Sequence, residues 1–97
     1  MSEQQDEQKF WELADEFIAL ANERSEEAGP GLSSDALLYA AARYAVFLAA
    51  SSSESRKDFL GDKDEIFDFL SRQFRTAVGE NLRDYTDHYK EYVGEPD

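Results

Sequence analysis

The stretch LLYAAARYAVFLAA at residues 37–50 constrains the fold more than any other part of the chain. It holds fourteen residues and a single charge, Arg43. Ala and Leu dominate it, and both lose little side-chain freedom in a helix. It contains no Gly or Pro, and Val46 is its only β-branched residue. Ser33, Ser34 and Asp35 precede it, where oxygen side chains can cap a first helical turn. At about 100° per residue, Leu37, Ala41, Tyr44 and Leu48 share one face, while Tyr39 and Val46 fall opposite. A helix apolar nearly all round belongs in a core or a membrane. Fourteen residues rise only about 21 Å, short of the roughly 20 residues a bilayer needs. The expectation is a central bundle helix over residues 34–51, shielded by partners on several sides.

The flanking segments read as its partners. Residues 3–28 carry Phe10, Leu13, Ala14, Phe17, Leu20 and Ala21 on one stripe, with Trp11 and Ile18 at its edge. Glu12, Asp15, Glu16 and Glu23 occupy the opposite arc, so this is an amphipathic helix. Ser2 and Gln5 have capping-box spacing at its start. Gly29-Pro30-Gly31 ends it, because Gly suits a left-handed C-cap and Pro cannot continue the ladder. The short connection predicts antiparallel neighbours. After the polar run SSSES, residues 56–60 fit one helical turn, with Phe59 and Leu60 plugging the bundle end. Asp62 and Glu65 have capping spacing for a last helix over 63–92. Its apolar positions are Phe67, Leu70, Phe74, Val78, Leu82, Tyr85, Tyr89 and Tyr92. Every step between them is three or four residues, which makes a continuous seam. Gly79 is the expected site of a bend or close approach. The predicted class is all-α: a three-helix antiparallel bundle with a short extra turn, in one domain spanning 1–97 whose last residues, 94–97, are a frayed tail.

Charge narrows the function classes. The net charge is −12, which phosphate backbones and anionic lipid surfaces repel. Nucleic-acid and membrane roles are therefore not expected, while a basic protein partner is allowed. Residues 1–27 hold nine acids and two bases, a net −7 and more than half the total. There is no cysteine, which removes disulfides, thiol catalysis and Cys-based zinc sites. The N-terminal MSEQQDEQKF has no signal or transit character, so a cytoplasmic location is the expectation.

Chemistry-bearing patterns are weak. His88 is the only histidine, and Asp84 and Glu91 share its helix face, a spacing that could hold a metal or a proton relay. Ferritin-like sites need Glu-x-x-His twice, and the position three before His88 is Tyr85. Asp62, Asp64 and Asp68 are spaced like a calcium loop, but the sixth and twelfth positions are Phe67 and Gln73 rather than Gly and Glu. Arg43 admits three readings: an anion- or partner-binding guanidinium, a structural ion pair, or a solvent-facing residue. No serine has a base partner by spacing, and there is no phosphate loop or dinucleotide fingerprint. No catalytic residue, cofactor or metal ligand is assigned, and a non-enzymatic protein is expected. Surplus apolar surface is the more informative signal, since exposed aromatic clusters mark interaction sites. Tyr39, Arg43, Val46, Phe69, Tyr89 and Tyr92 are the candidate contact residues for a homodimer. A ligand- or metal-binding bundle and an acidic decoy for a basic protein are the alternatives.

Together, FWELADEFIALAN, LLYAAARYAVFLAA and IFDFLSRQFRTAVGENLRDY resemble a family of short, acidic, all-helical bacterial proteins known only as a domain of unknown function. The resemblance runs from Phe10 to about Tyr92. It implies a helical bundle with no assigned activity and supplies no site residues.

Overall fold

A computed structural model describes residues 3–94. The all-α class is confirmed: the order is α1 (Glu3–Ala28), α2 (Pro30–Ser52), α3 (Arg56–Gly61), α4 (Lys63–Asp87) and α5 (Tyr89–Val93). Ser2 of the expected capping box and most of the expected tail lie outside the described residues. The helices fall into two units, Met1–Tyr44 and Ala45–Asp97. Residues 30–44 of α2 belong to the first and 45–52 to the second.

In the first unit, one residue makes the turn between α1 and α2. Gly29 sits at φ +90°, a region that L side chains avoid and Gly enters freely. Its N–H closes α1 onto the Ser25 carbonyl at 2.9 Å, and its carbonyl accepts the Ser33 N–H at 3.1 Å. Gly29 thus ends one helix and starts the next. Pro30 is consequently the first residue of α2 rather than a spacer, a position where its missing N–H costs nothing. This corrects the expected start at residue 34. Ser33, Ser34 and Asp35 lie inside the helix and cap nothing. Ser33 instead donates its hydroxyl to the Ala21 carbonyl at 2.8 Å, fastening the first turn of α2 to the body of α1.

In the second unit, serines finish α2. Ser52 Oγ donates to the Leu48 carbonyl at 2.9 Å, and Ser53 Oγ donates to the Ala49 carbonyl at 3.0 Å, the latter satisfying an acceptor that a helix end leaves open. Ser55 is extended and accepts the Asp58 N–H at 3.1 Å, so the polar run SSSES supplies the N-cap of α3. Asp62 joins α3 to α4 through its backbone, accepting the Ile66 N–H at 2.9 Å and donating to Asp58 and Phe59. Its side chain makes no cap hydrogen bond, contrary to the capping-box expectation. α4 runs unbroken through Gly79, and nothing lies within 4 Å of a Cβ built there, so the expected close approach is not there. The break comes at His88, where φ is −126° and ψ 31°, and the expected helix over 63–92 is two helices. α5 ends at Gly94 with φ +80°.

No described residue is buried. The expectation of a shielded hub at 37–50 is therefore not met within the chain: Leu37 is 39% exposed, Tyr44 65% and Leu48 49%. Half-covered side chains gather at the helix junctions, at Ala21 and Ser33 in the first unit and at Ala45, Ala49, Phe59, Ile66 and Leu70 in the second.

The two helix glycines predict opposite outcomes. Gly29→Ala forces a side chain into the positive-φ region and is expected to destabilise by roughly 1–2 kcal/mol. Gly79→Ala adds a methyl to a helix interior with nothing within 4 Å, and is expected to stabilise by about 1 kcal/mol. Thermal unfolding checks both, at roughly 4–8 °C per kcal/mol for a domain of this size; shifts of the same sign would contradict the assignment of Gly29 as the helix stop.

Candidate interaction surface

In the first unit, α1 presents Phe10, Leu13, Phe17 and Leu20 as exposed side chains along one stripe. Phe10 meets the neighbouring Trp11 edge to face, with centroids 4.9 Å apart at 78°, a favoured aromatic geometry. Phe17, Leu20 and Ala21 of α1 face Leu32, Ala36 and Leu37 of α2 across an open, mainly apolar groove. Tyr39 is exposed. Arg43 is also exposed, and no ion pair joins it to another described residue.

In the second unit, Ala45, Leu48 and Ala49 of α2 face Ile66, Phe69 and Leu70 of α4 across a second open groove of about 780 Å³. Phe69, a candidate contact residue off the seam, lines this groove with the end of α2. Val46 is exposed and outside the groove lining. α4 thus has two apolar arcs. One, carrying Ile66, Phe69 and Leu70, belongs to the groove. The other carries Phe67, Phe74, Val78, Leu82 and Tyr85, all exposed.

Tyr89 and Tyr92 stand on α5, beyond the break at His88. Tyr92 turns back onto α4, its ring 4.6 Å from that of Tyr85 and its hydroxyl donating to Asp84 Oδ2 at 3.0 Å. That hydrogen bond favours the protonated phenol and raises the Tyr92 pKa above the usual 10. His88 Nδ1 lies 3.1 Å from the Asp84 carbonyl and 3.1 Å from Asp84 Oδ1. The backbone hydrogen bond, helped by the Glu91 and Asp84 charges against partial desolvation, raises the His88 pKa above 6.5. Among the described residues no three His, Asp or Glu side chains converge to hold a metal. The arrangement is a knot of two helix turns with one acid at its centre.

Sequence reasoning assigned surface roles to residues off the main stripes and to the last tyrosines of the seam, and reserved the rest of the stripes for a core. The structure leaves the stripes themselves open in each unit. No helix among the described residues is long and apolar enough to cross a membrane.

Residues 10–86 match the model of a family described as a protein of unknown function, DUF3144, which bears out the resemblance to a domain of unknown function. No curated protein and no solved structure matches the chain.

The raised His88 pKa has a defined linkage sign. A histidine whose folded value exceeds its unfolded value contributes stability that is complete below about 6.5 and lost as pH rises through the folded value. The ring-proton shift of His88 is expected to titrate with a midpoint above 6.5. Asp84→Asn keeps the backbone acceptor and removes the charge, so the midpoint should fall only partway. A wild-type midpoint at or below 6.5 in an NMR titration would show that the α4–α5 knot does not form in solution.

Proposed function

The chain belongs to the DUF3144 family, and from that premise we propose that it is a non-enzymatic self-association module, a homodimer whose helical bundle is completed between copies. One observation carries this reading: every large apolar side chain of the α1 stripe and of the exposed α4 arc is at least one-third open to solvent. Monomeric soluble proteins rarely expose contiguous apolar patches above roughly 300–600 Å². Leaving such faces wet forgoes about 25 cal/mol per Å². A second copy is the partner always present at matching concentration, and two-fold dimers are the commonest closed assembly. The three-helix antiparallel bundle expected from the helix stripes is then a description of the assembly, with stripes from two chains filling one core. Tyr39, Arg43 and Val46 of α2, Phe69 of α4, and Tyr89 and Tyr92 of α5 contribute to or border the contact. A cytoplasmic location fits this reading.

Acidity favours a second role for the outer face. Glu12, Asp15, Glu16 and Glu23 are exposed on α1, opposite the apolar stripe, where a basic protein partner could dock without competing with the dimer contact.

Sedimentation equilibrium tests the dimer. The expected mass is twice the 11.1 kDa of one chain. Because each copy carries a net charge of −12, the copies repel, and salt shortens the reach of that repulsion from about 10 Å at 0.1 M to 3 Å at 1 M. Dimerisation should therefore tighten with salt, whereas capture of a basic partner should weaken. Phe17→Asp, a charge in the middle of the α1 stripe, should weaken association by at least tenfold. A monomer at high concentration in 1 M salt would refute the reading.

A further inference from the structure

The groove between α2 and α4 has an apolar floor and an acidic rim. Ala45, Leu48 and Ala49 of α2 and Ile66, Phe69 and Leu70 of α4 form the floor, with Leu48 and Phe69 exposed and the other four half-covered. On the α2 side Ala45, Ala49 and Ser52 follow at steps of four and three, so that wall is low and leaves room for the side-chain ridge of another helix. Along α4 the lining runs from Asp62 to Gln73, eleven residues apart, or about 17 Å at 1.5 Å per residue. That length takes about three turns of a visiting helix. From this shape and the charges around it we infer that the groove receives a basic amphipathic helix of a partner protein, apolar face inward. Self-association was read from the α1 stripe and the exposed α4 arc, and none of these floor residues belongs to either.

The rim decides the sign of the occupant. Asp62, Glu65 and Asp68 lie along it, with Arg72 as its one base. Beyond Ser52 and Asp62 it continues into a smaller hollow that adds Glu54 and Asp58 against Lys57. The three rim carboxylates are not used within the chain. No ion pair joins them to another described residue, and Asp62, at the start of α4, makes no side-chain cap hydrogen bond. Arg72 donates its Nε–H to the Asp68 carbonyl at 3.3 Å rather than to a carboxylate. Free carboxylates beside an apolar floor match a helix whose apolar face is bordered by Lys or Arg, the helix-in-groove mode of recognition. Unlike charges across such a contact speed encounter and fix its register.

The chain's own helices have the wrong sign for this seat. α1 holds nine acids and two bases, and α4 has a net charge of −2. Either one set against the rim, from the same copy or another, places acidic helix against acidic rim, and like charges brought together at a contact are costly. α2 is balanced by Asp35 and Arg43, but its last turns already form one wall. A helix with basic flanks therefore has to come from a different protein. The acidic arc of α1 is no substitute seat, because Glu12, Asp15, Glu16 and Glu23 lie opposite the apolar stripe of their helix and offer charge without a floor.

Synthetic peptides of about 18 residues, long enough to form a helix on contact, test the seat on the full chain. The first carries Leu at i, i+3, i+4 and i+7 spacing with Lys elsewhere. The second has the same composition with its Leu residues scattered round the helix, and the third has Glu in place of Lys. In about 0.15 M salt, where charges act over roughly 8 Å, fluorescence anisotropy is expected to show the first bound, the second about tenfold weaker and the third unbound. Glu65→Lys with Asp68→Lys reverses two exposed rim charges and should weaken the first peptide about tenfold. Glu12→Lys with Glu16→Lys makes the same change in net charge on the α1 arc and should leave it within about twofold. Ala49→Phe fills the floor and should abolish binding; if circular dichroism shows that variant unfolded, the two charge pairs decide alone. Equal binding of the first two peptides, or equal loss from both charge pairs, would mean attraction to net charge only and overturns the groove. Binding of no peptide also overturns it, because the chain itself or a second copy then fills the seat. Sedimentation without peptide reports self-association separately, so that reading stands or falls by the mass alone.

Discussion

Water contact with apolar helix faces is the constraint on which this protein depends. The helices satisfy their own backbone hydrogen bonds, and the junctions dispose of the end groups locally. What the helices lack is the packing that normally holds amphipathic helices in place. Most helical stability in proteins comes from burying the apolar face rather than from propensity. α1, with its many like charges, and α4, with Gly79 in its middle, are poor candidates for helices that persist unaided. Their stripes are continuous over many turns, which makes a complementary apolar surface the simplest account of why both are helical.

The junctions are short enough to shape that surface. Gly29 alone separates α1 from α2, Asp62 alone separates α3 from α4, and His88 alone separates α4 from α5. Each works through its backbone: Gly29 by positive φ, Asp62 by bonds on both sides, His88 by a bond back to Asp84. Among the described residues the longest link is 53–55, and two of its serines bond to helix ends. With so little loop, recognition by this chain has to come from helix faces.

How much was legible in the sequence follows from the range of the forces involved. Helix existence was readable because periodicity and propensity are local: the stripe of α1 and the seam of α4 place both helices, and α1 is found where the spacing predicts. Junction details were less so. Pro30 read as a breaker because the rule that places Pro at a first helical turn depends on which residue precedes it, and only the conformation of Gly29 decides that. Asp62 read as a side-chain cap, although its backbone makes the junction. Gly79 was the expected site of a bend or close approach because Gly is weak in helices, yet no neighbour approaches it and the helix is interrupted at His88, where Asp84 and Tyr92 draw two turns together. Burial was the least legible. A stripe states that a face needs cover without stating which chain provides it, so Leu37, Tyr44 and Leu48 could be assigned to a core and still be exposed in one copy.

Electrostatics bears on which faces can meet when copies associate. Pairing doubles a net charge of −12, and the cost depends on where those charges lie. α1 holds nine acids and two bases, with Glu12, Asp15, Glu16 and Glu23 directly opposite its stripe. α2 holds one acid and one base, Asp35 and Arg43. α4 holds six acids and four bases, for a net of −2 over 25 residues. α2 and α4 are therefore the least charged of the three long helices, and the carboxylates of the α1 arc are exposed. The same division separates the long helices whose apolar arcs carry little net charge from the one whose outer face is dominated by carboxylates.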